Sequence, residues 1–145
     1  MSQVVDANLS VALVLHTPYS GQAQALWKRW QTTGANVFAP DLWAYEVTSA
    51  LRKAMVITGL PLPEAQARLE TLAEIGVQLV PPTATLDHSA LQWAARLGQT
   101  VAYDAYYLAL AEALGCEFWT ADHKLTAALT DVAPWVHWIG TLDSF

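Results

Sequence analysis

Short apolar segments alternate with helical segments along the chain, and this alternation restricts the fold more than any other feature of the sequence. Five segments of four or five residues are rich in Val and aromatic residues and are bounded by turn residues, which is typical of buried strands. They are residues 3–6, 36–40, 77–81, 117–121 and 136–139. Helical patterns cover residues 9–15, 22–32, 42–57, 63–75, 83–97, 103–114 and 122–130. Asp41 is the predicted N-cap of the helix over residues 42–57.

Strands that are separated by helices pair most readily as parallel neighbours, with the connecting helices packed on the sheet. The predicted strands are hydrophobic throughout, as expected when both faces of a sheet are buried. We therefore predict a doubly wound α/β fold, with a mostly parallel five-stranded sheet and helices on both faces. The 145 residues contain no internal repeat and no long linker, so we expect one domain over residues 1–145.

The chain carries more apolar material than a core of this size needs. It is 54% hydrophobic and 14% charged, whereas about 25% of the residues in an ordinary soluble chain are charged. The excess includes 7 Trp, 5 Tyr and 3 Phe. Part of this surface is expected to cover a partner, and a homodimer is the simplest arrangement.

Cysteine content and hydropathy favour a soluble protein of the cytoplasm. The single cysteine, Cys116, excludes an internal disulfide and a cysteine-rich metal site. The uncharged stretch 7–26 contains His16, Pro18 and Gly21, so it is a poor membrane span. Asp6 stands where a secretory signal needs basic residues.

The net charge of −6 argues against broad, non-specific binding to nucleic acid. A local basic patch is still compatible with a phosphate backbone. The candidate phosphate contacts are Lys28, Arg29, Arg52, Lys53 and Lys124. Most of these fit equally well as solvated helix charges, and Lys124 is the strongest candidate because it lies two residues after Asp122.

Four acidic residues fall near one edge of the predicted sheet. Asp6 ends the first strand and Asp122 follows the fourth, and ligands of open parallel sheets bind beyond the carboxyl ends of the strands. Glu46 lies in the second turn of the third helix, and Asp104 lies in the first turn of the sixth. Both helices follow strand-end loops, so we expect all four carboxylates at the same edge.

Each acid also has a purely structural explanation. Asp122 could simply cap its helix, and Asp104 could be an acid favoured by the positive end of the helix dipole. Glu46 fits this kind of explanation less well, because its neighbours four residues away are apolar. Asp6 fits it least, since a carboxylate among valines and leucines is costly to desolvate unless something compensates its charge.

Converging carboxylates cannot all ionise without a cation nearby. Oxygen-only ligands, with no His or Cys in a ligand pattern, suit Mg²⁺ or Mn²⁺ better than zinc. Such an ion supports hydrolysis of a phosphodiester by activated water. Other site types have weaker support: no G-x-G-x-x-G follows the first strand, no G-x-S-x-G is present, and DANLS lacks the second Asp of an aspartyl phosphatase.

At these acids the chain resembles the PIN-domain nucleases, and among them the VapC-type toxins of toxin–antitoxin pairs. The matching segments are VVDANLSVALVL, APDLWAYEVTSALRKA, VAYDAYYLALAEALG and EFWTADHKL, in the order the family has them. The resemblance spans nearly the whole chain when the last strand, VHWI, is included. Each motif alone is loose, and the ordered set of four makes the likeness specific.

The resemblance implies a role for each acid. Asp6, Glu46, Asp104 and Asp122 match the family's metal-binding catalytic quartet. Asn8 and Thr120 match polar residues beside the first and last of these acids, and Thr120 would help to orient Asp122. The implied activity is Mg²⁺- or Mn²⁺-dependent cleavage of RNA, with a cognate antitoxin protein that blocks the site and a homodimer as the usual assembly.

Two other functions remain open from the sequence. One is a nuclease of the same fold that acts in RNA maturation. The other is a catalytically degenerate module that binds a partner protein, which the acidic surface and the surplus of aromatic residues would suit.

Overall fold

The computed structural model describes residues 1–142 and has a five-stranded sheet in which every pairing is parallel. The strands are β1 (Ser2–Val5), β2 (Asn36–Pro40), β3 (Gln78–Val80), β4 (Glu117–Thr120) and β5 (Val136–Trp138). The helices are α1 (Ala7–Val11), α2 (Ser20–Thr33), α3 (Leu42–Thr58), α4 (Leu62–Glu74), α5 (Ala84–Leu97), α6 (Tyr103–Leu114) and α7 (His123–Leu129), and a 3₁₀ turn follows at Ile139–Thr141. The predicted doubly wound α/β class is confirmed.

In the strand order β3-β2-β1-β4-β5, the direction in which successive strands are added to the sheet reverses beside β1. The chain builds outward from β1 through β2 to β3, and then crosses back to add β4 and β5 on the other side. The carboxyl ends of β1 and β4 therefore flank the switch point, where ligands of such sheets bind.

Two apolar clusters cover the two faces of the sheet. Val4 belongs to the cluster that is filled by α3, α5 and α6, whereas Val5 belongs to the cluster that is filled mainly by α2. Successive residues of a strand point to opposite faces, so this division follows from the alternation of β1 itself. The prediction that helices cover both faces is thus confirmed.

Several predicted boundaries are off by one to four residues. The first strand ends at Val5, and α1 already begins at Ala7, because Asp6 caps that helix instead of continuing the strand. The third strand is confined to Gln78–Val80. These shifts do not change the order of the elements.

The predicted capping role of Asp41 is wrong. Asp41 does precede α3, but within residues 1–142 its side chain makes no capping hydrogen bond. Its backbone is already helical, with φ −53° and ψ −30°, whereas a capping residue needs an extended backbone to bring its side chain onto the first turn.

Within the part of the chain that the structure describes, no helix is both long enough and apolar enough to cross a membrane.

Candidate acidic active site

Asp6 is fixed where β1 passes into α1, and its two carboxylate oxygens are both engaged. Oδ1 accepts the backbone N–H of Leu9 at 2.8 Å, which caps α1, and Oδ2 accepts the hydroxyl of Thr120 at 2.5 Å. Asp6 is only 9% exposed. Burial raises its pKa to about 6, against the lowering effect of these hydrogen bonds and with a smaller raising effect from the charge of Glu46.

Thr120 connects Asp6 to Asp122. The register of β1 and β4 pairs Val5 with Trp119, so the next residues along the two strands, Asp6 and Thr120, lie side by side. The fully buried hydroxyl of Thr120 donates to Asp6 and accepts the backbone N–H of Asp122 at 2.9 Å. Asp122 in turn caps α7 by accepting the N–H of Leu125 on Oδ1 at 3.0 Å. The capping alternative for Asp122 is therefore correct, and it occupies one of the two carboxylate oxygens.

Glu46 is brought to this site because α3 packs on α1. The indole N–H of Trp43 donates to Ser10 Oγ at 2.9 Å, and the Ser10 hydroxyl donates to the backbone carbonyl of Asp6 at 2.8 Å. Glu46 lies one turn further along α3 and is half-buried. The position of α3 is thus tied directly to the residue that carries the first site carboxylate.

A tyrosine that sequence reasoning did not single out binds Glu46. The hydroxyl of Tyr107 donates to Glu46 Oε1 at 2.7 Å, across 61 positions of the chain. The ring of Tyr107 is buried and stacks on Phe118 of β4, with centroids 5.6 Å apart and planes 13° from parallel. Burial and the charge of Glu46 raise the pKa of Tyr107, so the phenol stays protonated and acts as a donor. Its position three residues after Asp104, on the same face of α6, was the available signal.

Asp104 lies in the first turn of α6, beside Asp122. Partial burial and then the charge of Asp122 raise the pKa of Asp104. Burial and the charge of Asp104 raise the pKa of Glu46, against the lowering effect of the Tyr107 hydroxyl. Together with the effect of Glu46 on Asp6, these interactions link the four carboxylates in the order Asp6, Glu46, Asp104, Asp122.

Three of the four acids share one small cleft. Asp6, Asn8, Asp104, Tyr107, Thr120 and Asp122 line a cavity of about 80 Å³ between the ends of β1 and β4 and the start of α6. Glu46 lines a groove that adjoins this cleft at Asn8. The structure thus brings together the four predicted acids and both predicted supporting residues.

The basic residues proposed as phosphate contacts lie outside the acidic cleft. Lys124 lies exposed on α7 and does not line the acidic cleft. Lys28 and Arg29 lie on the surface of α2 with other residues of that helix. Lys53 is the cation that lines the groove next to Glu46.

The donor set fits a hard divalent cation. All four charged donors are carboxylates, and within residues 1–142 no protein hydrogen bond engages the carboxylate of Asp104. Among the described residues, no group of three or more His, Cys, Asp or Glu side chains is placed so that together they could hold a metal ion. Mg²⁺ requires less than that, since it binds through one or two carboxylates and keeps several waters.

The mutual repulsion of the acids gives a cation a clear energetic role. Three carboxyl groups have raised pKa values because burial and a neighbouring negative charge disfavour ionisation. A divalent ion reverses this balance, because it stabilises the ionised form of every carboxylate near it. Such a site can bind a phosphodiester and activate water against it.

Comparison with known proteins agrees with this geometry. The model of the PIN domain family matches residues 4–128. Ribonuclease VapC9 of Mycobacterium tuberculosis is 32% identical over 123 residues, which cover 85% of this chain and 87% of that protein. The same identity and coverage relate this chain to the VapC ribonuclease Mb0985 of Mycobacterium bovis.

Solved structures show the same fold. A toxin–antitoxin complex from Klebsiella pneumoniae contains a chain that superposes with a TM-score of 0.68 at 14% identity, over 94% of this chain and 97% of that one. VapC20 of M. tuberculosis, described as a toxin that cleaves the sarcin–ricin loop, gives a TM-score of 0.65 at 21% identity, over 87% and 94%. From the match over residues 4–128 and the identity to VapC9, the chain belongs to the PIN-domain family.

Proposed function

We propose that this protein is a metal-dependent endoribonuclease that acts as the toxin of a toxin–antitoxin pair. The observation that carries the proposal is the placement of four carboxylates at the switch point of a PIN-domain sheet, three of them in one cleft and Glu46 in the adjoining groove. The names of the relatives support the toxin assignment, since they include VapC ribonucleases and toxin–antitoxin complexes.

The four acids have distinct positions in the proposed site. Asp6 and Asp122 come from adjacent strand ends and are connected by Thr120, which fixes the spacing of their backbones. Glu46 is oriented by Tyr107, and Asp104 offers a carboxylate that the described protein groups leave without a hydrogen bond. A bound Mg²⁺ or Mn²⁺ would neutralise these carboxylates and supply activated water for hydrolysis of the phosphodiester.

The assembly and location follow from the same proposal. The substrate is RNA, and a cognate antitoxin protein would inhibit the enzyme by covering the acidic cleft. We propose a cytoplasmic homodimer in which each chain provides one nuclease domain over residues 1–145. Asn8 would contact the substrate at the cleft, and Lys124 would contact more distant phosphates.

Cleavage of a structured RNA pool by the purified protein tests the proposal. We expect cleavage with Mg²⁺ or Mn²⁺, none with EDTA, and none from Asp104→Asn with either metal. Asp131→Asn is the matched control, because it neutralises an exposed aspartate in the segment before β5 and should leave cleavage unchanged. Circular dichroism checks that both variants are folded.

Two results would contradict the proposal. Full cleavage by Asp104→Asn would remove this residue from the catalytic set. The absence of both cleavage and metal binding, measured by calorimetry, would favour an interaction module instead.

Co-expression with the product of an adjacent antitoxin gene distinguishes a toxin from a nuclease of RNA maturation, because only a toxin arrests growth in a way that the second protein relieves.

A further inference from the structure

A groove leads away from the acidic cleft along the outer surface of α3 and the start of α6. It has a volume of about 530 Å³, and its lining includes Asn8, Tyr45, Glu46, Lys53 and Tyr103. Asn8 also lines the acidic cleft, so the groove and the cleft adjoin at this residue. Whatever is bound at the carboxylates has this groove as a neighbouring surface.

Two tyrosine rings in this groove are exposed to solvent. Tyr45 is 75% exposed and Tyr103 is 64% exposed, whereas Tyr107, on the same helix as Tyr103, is 2% exposed. Each exposed ring directly precedes a site acid in the sequence, Tyr45 before Glu46 and Tyr103 before Asp104. Neither ring is used for the core, and both lie beside the carboxylates.

We propose that Tyr45 and Tyr103 are stacking surfaces for bases of single-stranded RNA on one side of the scissile phosphate, with Lys53 as a contact to the RNA backbone. This inference rests on the proposed nuclease function and names the residues of this chain that would hold the nucleotides next to the scissile phosphate. Unpaired bases stack on aromatic side chains without strict sequence preference, because every base has a π-face.

The residues that line the groove favour RNA over a protein segment as the occupant. A strand whose phosphodiester is bound at the carboxylates can extend past Asn8 and Glu46 into the groove. The groove then offers the two groups that a nucleotide needs, namely flat aromatic surface and a cation. Lys53 brings a positive charge to the lining of this groove, although the chain as a whole carries a net charge of −6.

The two kinds of contact differ in their dependence on salt. Stacking on tyrosine displaces no counterions, so its contribution persists at high salt. A lysine–phosphate contact releases condensed cations, and each such contact adds about 0.7 to the slope of log affinity against log salt for a single strand. Removal of a ring and removal of the lysine charge are therefore distinguishable by the same titration.

The test is a fluorescence-anisotropy titration with an unstructured RNA of about 12 nucleotides, a length that one single-strand-binding fold can cover. Asp104→Asn is used as the common background so that the RNA is not cut. Five substitutions are made in this background, each in a separate variant: Tyr45→Ala, Tyr103→Ala, Tyr45→Phe, Tyr103→Phe and Lys53→Met. Leu91→Ala is the matched control, since Leu91 is 68% exposed and does not line the groove.

Each alanine variant of a tyrosine should bind RNA roughly 5- to 150-fold more weakly at every salt concentration, with an unchanged salt slope. The phenylalanine variants keep the ring and should bind within about twofold of the background protein, since stacking needs no hydroxyl. Lys53→Met should lower the salt slope by about 0.7. Leu91→Ala should behave as the background protein does.

Unchanged RNA affinity in both alanine variants would overturn the stacking proposal, and if the wild-type protein cleaves RNA, the proposed function stands without it. If the alanine variants bind RNA normally but lose binding to the antitoxin, the groove is a protein-binding surface and the proposal is also overturned. If the wild-type protein neither binds nor cleaves RNA, the stacking proposal and the proposed function both fail.

Discussion

The hydroxyl of Thr120 lies 2.5 Å from Oδ2 of Asp6, which is 114 positions away in the sequence. The hydroxyl oxygen of Thr120 also accepts the backbone N–H of Asp122 at 2.9 Å. One buried side chain of β4 therefore connects the acid at the end of β1 with the acid at the start of α7. The spacing of two site carboxylates is thus set by a threonine that carries no charge.

We predict that Thr120→Val destabilises the protein and reduces its activity. Valine has nearly the same shape as threonine, but it leaves a buried carboxylate oxygen of Asp6 and the N–H of Asp122 without their partner. Loss of one buried hydrogen bond of this kind costs about 1 to 3 kcal/mol. The expected decrease in melting temperature is roughly 3 to 10 °C for a chain of this length, and differential scanning calorimetry measures it.

Thr120→Ser is the control for that experiment. Serine keeps the hydroxyl and loses only a methyl group, so most of the cleavage activity should remain. A valine variant as stable and as active as the serine variant would show that the hydroxyl has no positioning role.

Tyr107→Phe should weaken metal binding without unfolding the protein. Phenylalanine preserves the stacking on Phe118 but removes the donor that orients Glu46. Loss of a group that orients a metal ligand typically lowers metal affinity or activity by about 10- to 100-fold. Calorimetric titration with Mn²⁺ measures the affinity, and the melting temperature should change little because Glu46 is half-buried and water can replace the phenol.

The neighbouring tyrosine provides a matched control for this substitution. Tyr106 also donates a hydrogen bond to a carboxylate, that of Asp87 on α5, but this pair is exposed and does not line the acidic cleft. Tyr106→Phe therefore removes the same kind of hydrogen bond and should leave Mn²⁺ affinity unchanged. Equal losses from both variants would indicate a general effect on α6 and not a specific effect on Glu46.

The order of the elements and the position of the acids could be predicted because both depend on local patterns. Short Val-rich and aromatic segments mark the strands, and Asp6 and Asp122 directly follow two of them. The rule that ligands bind beyond the carboxyl ends of parallel strands then brings these two acids together. This part of the site needs no knowledge of side-chain packing.

The contacts between distant elements could not be predicted in the same way. The hydrogen bond from Tyr107 to Glu46 depends on how α6 packs against α3, and no pattern within either helix specifies that distance. The prediction that Asp41 caps α3 was wrong for a related reason. The backbone of Asp41, between β2 and α3, is helical, and the sequence does not reveal this conformation. Lys124 illustrates a third case, because closeness in sequence to Asp122 did not place it in the acidic cleft.

The stability of the metal-free protein should fall as the pH rises from about 4 to about 6. Burial raises the pKa of Asp6 from its ordinary value of 3.8 to about 6, so in this interval the folded protein binds a proton that the unfolded chain has released. The difference corresponds to about 3 kcal/mol of unfolding free energy lost by pH 7. The raised pKa values of Glu46 and Asp104 act in the same direction.

Asp6→Asn isolates this effect, because it removes the titrating group and keeps a similar shape. Urea denaturation in EDTA, repeated across the pH interval, should show a flatter profile for the variant than for the wild-type protein. The amide has a single acceptor oxygen and cannot accept both the N–H of Leu9 and the hydroxyl of Thr120, so part of the gain at neutral pH is offset by the loss of one hydrogen bond. Parallel profiles for the two proteins would mean that ionisation of Asp6 carries no penalty in the folded state.

Addition of Mn²⁺ or Mg²⁺ should raise the melting temperature of the wild-type protein at neutral pH. An ion that binds only the folded state adds about 2.7 kcal/mol at a concentration of 100 times its Kd, which corresponds to an increase of roughly 5 to 10 °C. The increase should be largest above pH 6, where the carboxylates repel one another most in the absence of the ion. Asp104→Asn should show a smaller increase, whereas Asp131→Asn should match the wild-type protein. A similar increase in all three proteins would place the ion outside the acidic cleft, because only one of the two substitutions removes a carboxylate from it.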